Sequence, residues 1–176
     1  MKKTFTAILS AAMLLCTAPL SASAEIPYDY PLKYDLNLDR KIDSVDASMV
    51  LAEYARVSTN EESQLTQTQI IVADCDNNKK VDAVDASNIL KIYAQNSAGD
   101  DYPITTIIFS WQLRYGHNVK SLTKDYYTFE EALADANLAK EEIWNWSELQ
   151  IWTTTFIKTN LPTVLPRLVY VEKPQK

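Results

Sequence analysis

The chain has 176 residues, 47% of them hydrophobic, with a formal net charge of −6 and a single histidine. Its length allows one ordinary domain or two small ones, and its acidity argues against nucleic-acid binding, which needs a basic face. The two cysteines are Cys16 and Cys75; the first falls in a leader segment, so the mature chain cannot form an intrachain disulfide.

Residues 1–24 read as a secretory signal. Lys2 and Lys3 supply the charged start, residues 5–15 are mostly apolar, and Ala22 and Ala24 give the small-residue pattern that precedes cleavage. The apolar run is too short for a membrane span, and no later segment is long and apolar enough to be one. Bulky Leu15 before Cys16 disfavours lipid attachment. The expectation is a secreted chain, extracellular or in a cell-surface complex, starting near Glu25. A small secreted unit without disulfides needs another staple, and bound metal is the obvious one.

Pro27 and Pro31 keep a helix from entering the next element. That element is the twelve-residue loop DLNLDRKIDSVD, starting at Asp35, which recurs 39 positions later as DCDNNKKVDAVD, starting at Asp74. Positions 1, 3, 5, 9 and 12 are Asp35, Asn37, Asp39, Asp43 and Asp46 in the first copy, and Asp74, Asp76, Asn78, Asp82 and Asp85 in the second. Position 7, Lys41 or Lys80, offers its backbone carbonyl. A hard cation takes roughly six to eight oxygens, and alternate residues of a tight turn can aim them at one point. The spacing is that of a calcium loop, and its repetition makes chance a poor explanation. Two Ca²⁺ ions are expected, one per loop. Cys75, at loop position 2, points away from the ion by alternation.

Each loop leads into an amphipathic helix, near residues 45–56 and 84–95. Ala47, Val50, Leu51 and Tyr54 share one face, as do Ala86, Ile89, Leu90 and Tyr93; these stripes are expected to form the core between the helices. Ile42 and Val81, at loop position 8, are expected to pair as short extended segments. Residues 65–73 read as a short helix filling the gap between the repeats.

Residues 99–102 read as a linker between a first unit, 25–98, and a second, 103–176. The acidic excess lies before this linker: residues 25–102 hold fifteen Asp and Glu against seven Lys and Arg, whereas 103–176 hold eight of each. In the second unit, residues 104–115 are rich in β-branched and aromatic types and predict a strand. Gly116, His117 and Asn118 predict a turn, and a second strand follows near 120–122. Thr128 with Glu131 forms a capping box for a helix whose apolar stripe is Phe129, Leu133, Ala136 and Ile143. Strands near 148–158 and 168–171 complete a small α+β module, ββαββ. Trp111 and Trp152 are expected in its core, with Trp144 and Trp146 divided between core and an exposed binding face.

The paired loops end in Asp rather than Glu, and each is followed by a helix but not preceded by one. In this, and in the phrases VDASMVLAEYARVST and VDAVDASNILKIYA, the chain resembles dockerin domains of the ruminococcal cellulosome type over roughly residues 31–98. The resemblance implies a mainly α dockerin of two calcium-binding loop–helix repeats. It also implies a partner, the cohesin domain of a scaffoldin, and hence a component for plant polysaccharide degradation. The family's recognition positions fall here on Ser44, Val45, Ser48, Met49 and Ala52, and on Ala83, Val84, Ser87, Asn88 and Lys91. The chain departs from the pattern at loop position 6, commonly Gly because the backbone there is left-handed, where it has Arg40 and Lys79.

For residues 103–176 two readings stay open: a small non-catalytic binding or interaction module, with polysaccharide as one ligand class, or a small enzyme or enzyme inhibitor delivered by the same dockerin. The carboxylates Asp125, Glu130, Glu131, Asp135, Glu141, Glu142 and Glu148 mostly fall on a helical polar face. About 70 residues hardly build a glycosidase cleft, and His117 sits in a turn without a nucleophile beside it.

Overall fold

The computed structural model describes residues 30–100, 105–121, 124–157 and 166–175. The leader and residues 101 and 102 of the linker expected from the sequence lie outside these residues.

Helix α1, Ser44–Ser58, and helix α3, Ala83–Ser97, start inside their loops. Asp43 and Asp82 are the N-caps, accepting from Val45 N and Val84 N, and Asp46 and Asp85 close each capping box. One acidic repeat thus both shapes a loop and starts a helix, because a carboxylate at the N-cap satisfies N–H groups that the helix leaves free. Helix α2, Gln67–Ala73, lies between them, capped by Thr66 with Gln69.

The helix stripes correct the sequence reading. Ala47, Val50, Ala86 and Ile89 are buried, but Leu51 and Tyr54 are each 44% exposed, Leu90 42% and Tyr93 41%. The buried line runs instead through Asp46, Ala47, Val50 and Glu53 in α1, and through Asp85, Ala86, Ile89 and Ile92 in α3. The apolar stripe is wider than the one side that has a neighbour, and the buried capping-box residues Asp46 and Asp85 lie on the side that turns inward. Glu53 is tolerated inside because it accepts from Gln64 N at 3.3 Å and lies 3.8 Å from Arg56 Nε. Ile42 and Val81 do not lie in strands; they pack, half-buried, on the core.

The remaining elements are β1, Thr105–Tyr115; β2, Asn118–Ser121; α4, Phe129–Glu142; β3, Trp146–Ile157; and β4, Arg167–Glu172. The strands form one antiparallel sheet in the order β2-β1-β3-β4. Gly116 makes the β1–β2 turn at φ +53, a left-handed conformation that glycine adopts without steric cost. Alternate residues of β1, namely Ile107, Phe109, Trp111 and Leu113, join Leu149 and Ile151 of β3 and Phe129, Ala132, Ala136 and Ala139 of α4 in the core. Trp111 is buried as expected, while Trp152 is half-buried.

The two parts of the chain share that core, which also holds Leu36, Val50, Ile71, Val72 and Ile89. Leu32 bridges Thr106 in antiparallel fashion, with Lys33 N donating to Thr105 O at 2.8 Å and Ile107 N to Pro31 O at 3.0 Å. The N-termini of α2 and α4 also satisfy each other. Thr68 N and its hydroxyl donate to the Glu130 carboxylate, and Phe129 N donates to Thr68 Oγ1 at 2.8 Å. A carboxylate set between two helix N-termini is favoured by both dipoles.

Candidate metal centre and docking face

Both loops wind through left-handed residues at positions 4 and 6: Leu38 (φ 59) and Arg40 (φ 69) in one, Asn77 (φ 62) and Lys79 (φ 69) in the other. The left-handed turn expected at position 6 is therefore made without glycine, at a cost of about 1–2 kcal/mol per residue. These turns aim short polar side chains inward. Asp35, Asp46, Asp74 and Asp85 are buried, whereas Asn37, Asp39, Asp76 and Asn78 are exposed at the rim. Lys41 and Lys80, read as carbonyl donors, are exposed, and Asp43 and Asp82 are half-buried caps.

Position 12 anchors each loop. Asp46 Oδ1 accepts from Leu36 N at 2.8 Å and Oδ2 from Asp43 N at 2.9 Å. In the second loop Asp85 Oδ1 accepts from Cys75 N at 2.7 Å and Oδ2 from Asp82 N at 2.9 Å. Position 1 receives its own loop's N–H groups: Arg40 N reaches Asp35 Oδ2 at 2.7 Å, and Lys79 N reaches Asp74 Oδ2 at 3.0 Å.

This crowding of acids is electrostatically incomplete. Burial pushes the Asp35 carboxyl up to about 6, against the Arg40 N–H bond and with help from Asp46 and Asp39. Burial likewise raises Asp46 and Asp85. A cation among them would reverse these shifts by favouring the ionised form. In the second loop Asp74, Asp76 and Asp85 bring one carboxylate oxygen each within 4.8 Å of one another, and Asp74 Oδ1 is buried without a hydrogen-bond partner. Hard oxygen donors, clustered acids and an orphaned buried acceptor fit calcium. In the first loop Asn37 stands where the second has Asp76. Cys75 is no competing ligand: its Sγ contacts Ala73 O at 3.1 Å, and burial raises its thiol far above the ordinary range.

The residues expected at a docking face lie on one side of each helix. Ser44, Val45, Ser48 and Ala52 are exposed, as are Ala83, Val84, Ser87 and Lys91; Met49 and Asn88 are half-buried. Val45 is 50% exposed and Val84 52%. Leu51, Tyr54, Leu90 and Tyr93, which the sequence reading assigned to the core, are exposed as well, but not on this side: Tyr54 and Tyr93 lie half a turn around the helix from Val45 and Val84. The hydroxyls of Ser48 and Ser87 bond back to the Ser44 and Ala83 carbonyls at 2.7 and 2.8 Å, so the face is more apolar than its composition suggests.

Several carboxylates of the C-terminal part are structurally employed. Asp135 Oδ2 accepts from Tyr126 OH at 2.5 Å and Trp111 Nε1 at 3.0 Å, and Tyr126 is pushed up to about 12 by burial and by that carboxylate. Glu131 caps α4, Glu142 pairs with Lys120 at 2.7 Å, and Glu148 lies 3.7 Å from Arg114. His117 is exposed. Trp146 lies under Lys140, whose Nζ is 5.0 Å from its ring, whereas Trp144 is 91% exposed.

Two acidic loops thus each lead into a helix with an exposed apolar side. Residues 33–93 match the family model of the Dockerin type I domain, and this part of the chain is a dockerin domain. Dockerin domains bind calcium and engage cohesins, the anchoring contact of extracellular cellulosome-type complexes. No curated protein matches the chain significantly. Among the described residues, no helix is long and apolar enough to cross a membrane.

Proposed function

We propose that the chain is a secreted cellulosome component whose residues 25–98 bind two calcium ions and dock into a cohesin of a scaffoldin, anchoring residues 103–176. The observation that carries this reading is the second loop, where three carboxylates converge and one of them, Asp74, keeps a buried oxygen without a partner. The first loop repeats its φ pattern and its position-12 anchor. When bound, each ion neutralises its loop's carboxylates. Asp35, Asn37, Asp39, Lys41, Asp43 and Asp46 form one ligand set, and Asp74, Asp76, Asn78, Lys80, Asp82 and Asp85 the other.

The ions stabilise the loops, and the loops set the pitch of α1 and α3. Cohesin then covers Ser44, Val45, Ser48, Met49 and Ala52 of one repeat, or Ala83, Val84, Ser87, Asn88 and Lys91 of the other. The similarity of the two faces supports docking in two orientations. Met49 against Asn88 and Ala52 against Lys91 are the differences that choose between them. Calorimetry of the mature chain against a panel of cohesins, with and without EDTA, tests this. Calcium-independent binding, or no binding to any cohesin, rejects it.

For residues 103–176 we propose a non-catalytic binding module. Glu130, Glu131, Asp135, Glu142 and Glu148 are engaged in caps, ion pairs and the Trp111–Tyr126 network, while Trp144 offers an open aromatic ring. An aromatic ring gives a large apolar contact at low entropic cost and stacks readily on a sugar face. Pull-down on insoluble plant polysaccharides is expected to retain the chain and to release Trp144→Ala. Hydrolysis of any member of the same panel would favour an enzyme instead.

A further inference from the structure

The two loops differ in one contact that their repeat does not explain. Arg167, at the start of β4, reaches the second loop from 93 positions away. Its guanidinium donates to Asp74 Oδ2 at 3.3 Å, to the Asn77 carbonyl at 3.3 Å and to Asn77 Oδ1. Lys33 Nζ reaches the same Asn77 Oδ1 at 3.3 Å. In the first loop, the Asp35 carboxylate is instead held by Asp39 N at 3.2 Å and Arg40 N at 2.7 Å, both from its own turn.

The oxygens of Asp74 therefore have different tasks. Oδ2 is held by Lys79 N and Arg167, while Oδ1 is buried and unpartnered. Arg167 also pins the left-handed residue Asn77 (φ 62) through its carbonyl. We infer that Arg167 is a positioning residue for the second ion: it holds Asp74 so that Oδ1 faces the metal, and thereby links filling of the second loop to the seating of β4. This rests on the reading that each loop binds calcium.

Coupling of this kind is reciprocal, so an ion that is helped by Arg167 must in turn steady β4. A guanidinium near a divalent cation also repels it. The sign of the change on removing the charge therefore separates orientation from simple electrostatics. Groups that orient a metal ligand typically contribute on the order of 10–100-fold in affinity.

The test uses the mature chain carrying Arg167→Gln. Arg114→Gln, which removes the same charge from the exposed pair with Glu148, is the control. In calorimetric calcium titrations, Arg167→Gln is expected to weaken one site about tenfold and leave the other unchanged, and Arg114→Gln to alter neither. In parallel, amide exchange in β4 slows on adding calcium to the unsubstituted chain and ceases to respond in Arg167→Gln. Unchanged or tighter binding in Arg167→Gln, or β4 exchange indifferent to calcium in the unsubstituted chain, overturns the inference and leaves the two-ion reading standing. An unsubstituted chain that takes up no calcium overturns both.

Discussion

The first and second loops share spacing, φ values at positions 4 and 6, and a position-12 aspartate that accepts backbone N–H groups. They differ in what surrounds position 1. Asp35 is satisfied within its own turn, whereas Asp74 is held in part by Arg167 and keeps one oxygen free. A duplicated sequence therefore reproduces the local turn but not its electrostatic setting, which is supplied by chain far away.

The largest blow to either loop is removal of its anchor. Asp46→Ala and Asp85→Ala each strand buried N–H groups, at about 1–3 kcal/mol per group. Each is expected to cost about 3–5 kcal/mol in denaturant unfolding and to abolish cohesin binding. Equal losses would mean that the contacts around the second loop add nothing to its local stability, and a larger loss for Asp85→Ala would sharpen the contrast.

Acidity probes the first loop next. The raised Asp35 carboxyl means that the metal-free folded chain holds this proton more tightly than the unfolded chain. Its contribution is complete below the ordinary carboxylate value of 3.8 and is lost as pH rises through about 6. Calcium requires the ionised form. The melting-temperature gap between calcium-loaded and EDTA-treated chain is therefore expected to narrow from pH 7 to pH 5. A gap that stays constant by calorimetry removes Asp35 from the ion's ligands.

Docking should separate the repeats more gently. Val45→Glu and Val84→Glu replace half-open side chains and are expected to shift stability by under about 1 kcal/mol. One of them is expected to weaken cohesin binding at least tenfold, because it sets an unpaired charge inside the contact. If neither changes affinity, the exposed side of α1 and α3 is not the interface. The smallest effect is a gain. Lys79→Gly relieves a left-handed residue and is expected to add about 1 kcal/mol. Arg40→Gly should add less, because it also forfeits the bond from Arg40 Nη1 to Tyr30 O at 3.3 Å. Chemical denaturation reads both.

What was legible in the sequence was what neighbouring residues decide among themselves. The loop aspartates, both loop helices and the Thr128–Glu131 cap all follow from short spacings, and the left-handed position 6 from the resemblance to dockerins. The side that α1 turns inward was not legible, because Leu51 and Tyr54 continue the apolar stripe past the edge of the available neighbour. Nor were Thr68, Glu130 and Arg167, whose partners lie 61 to 93 positions away. Glu130 and Asp135 read as ordinary polar-face acids, and only the packed structure shows them accepting buried donors.

The short bridge between Leu32 and Thr106 has a practical consequence for anyone transplanting the anchoring segment onto foreign cargo. Severing the polypeptide near residue 100 would strip the Pro31 carbonyl and the Thr68 hydroxyl of their mates in Ile107 and Phe129. A graft from this chain would travel best with its neighbour still attached, more like a keyed fitting than a bead on a string.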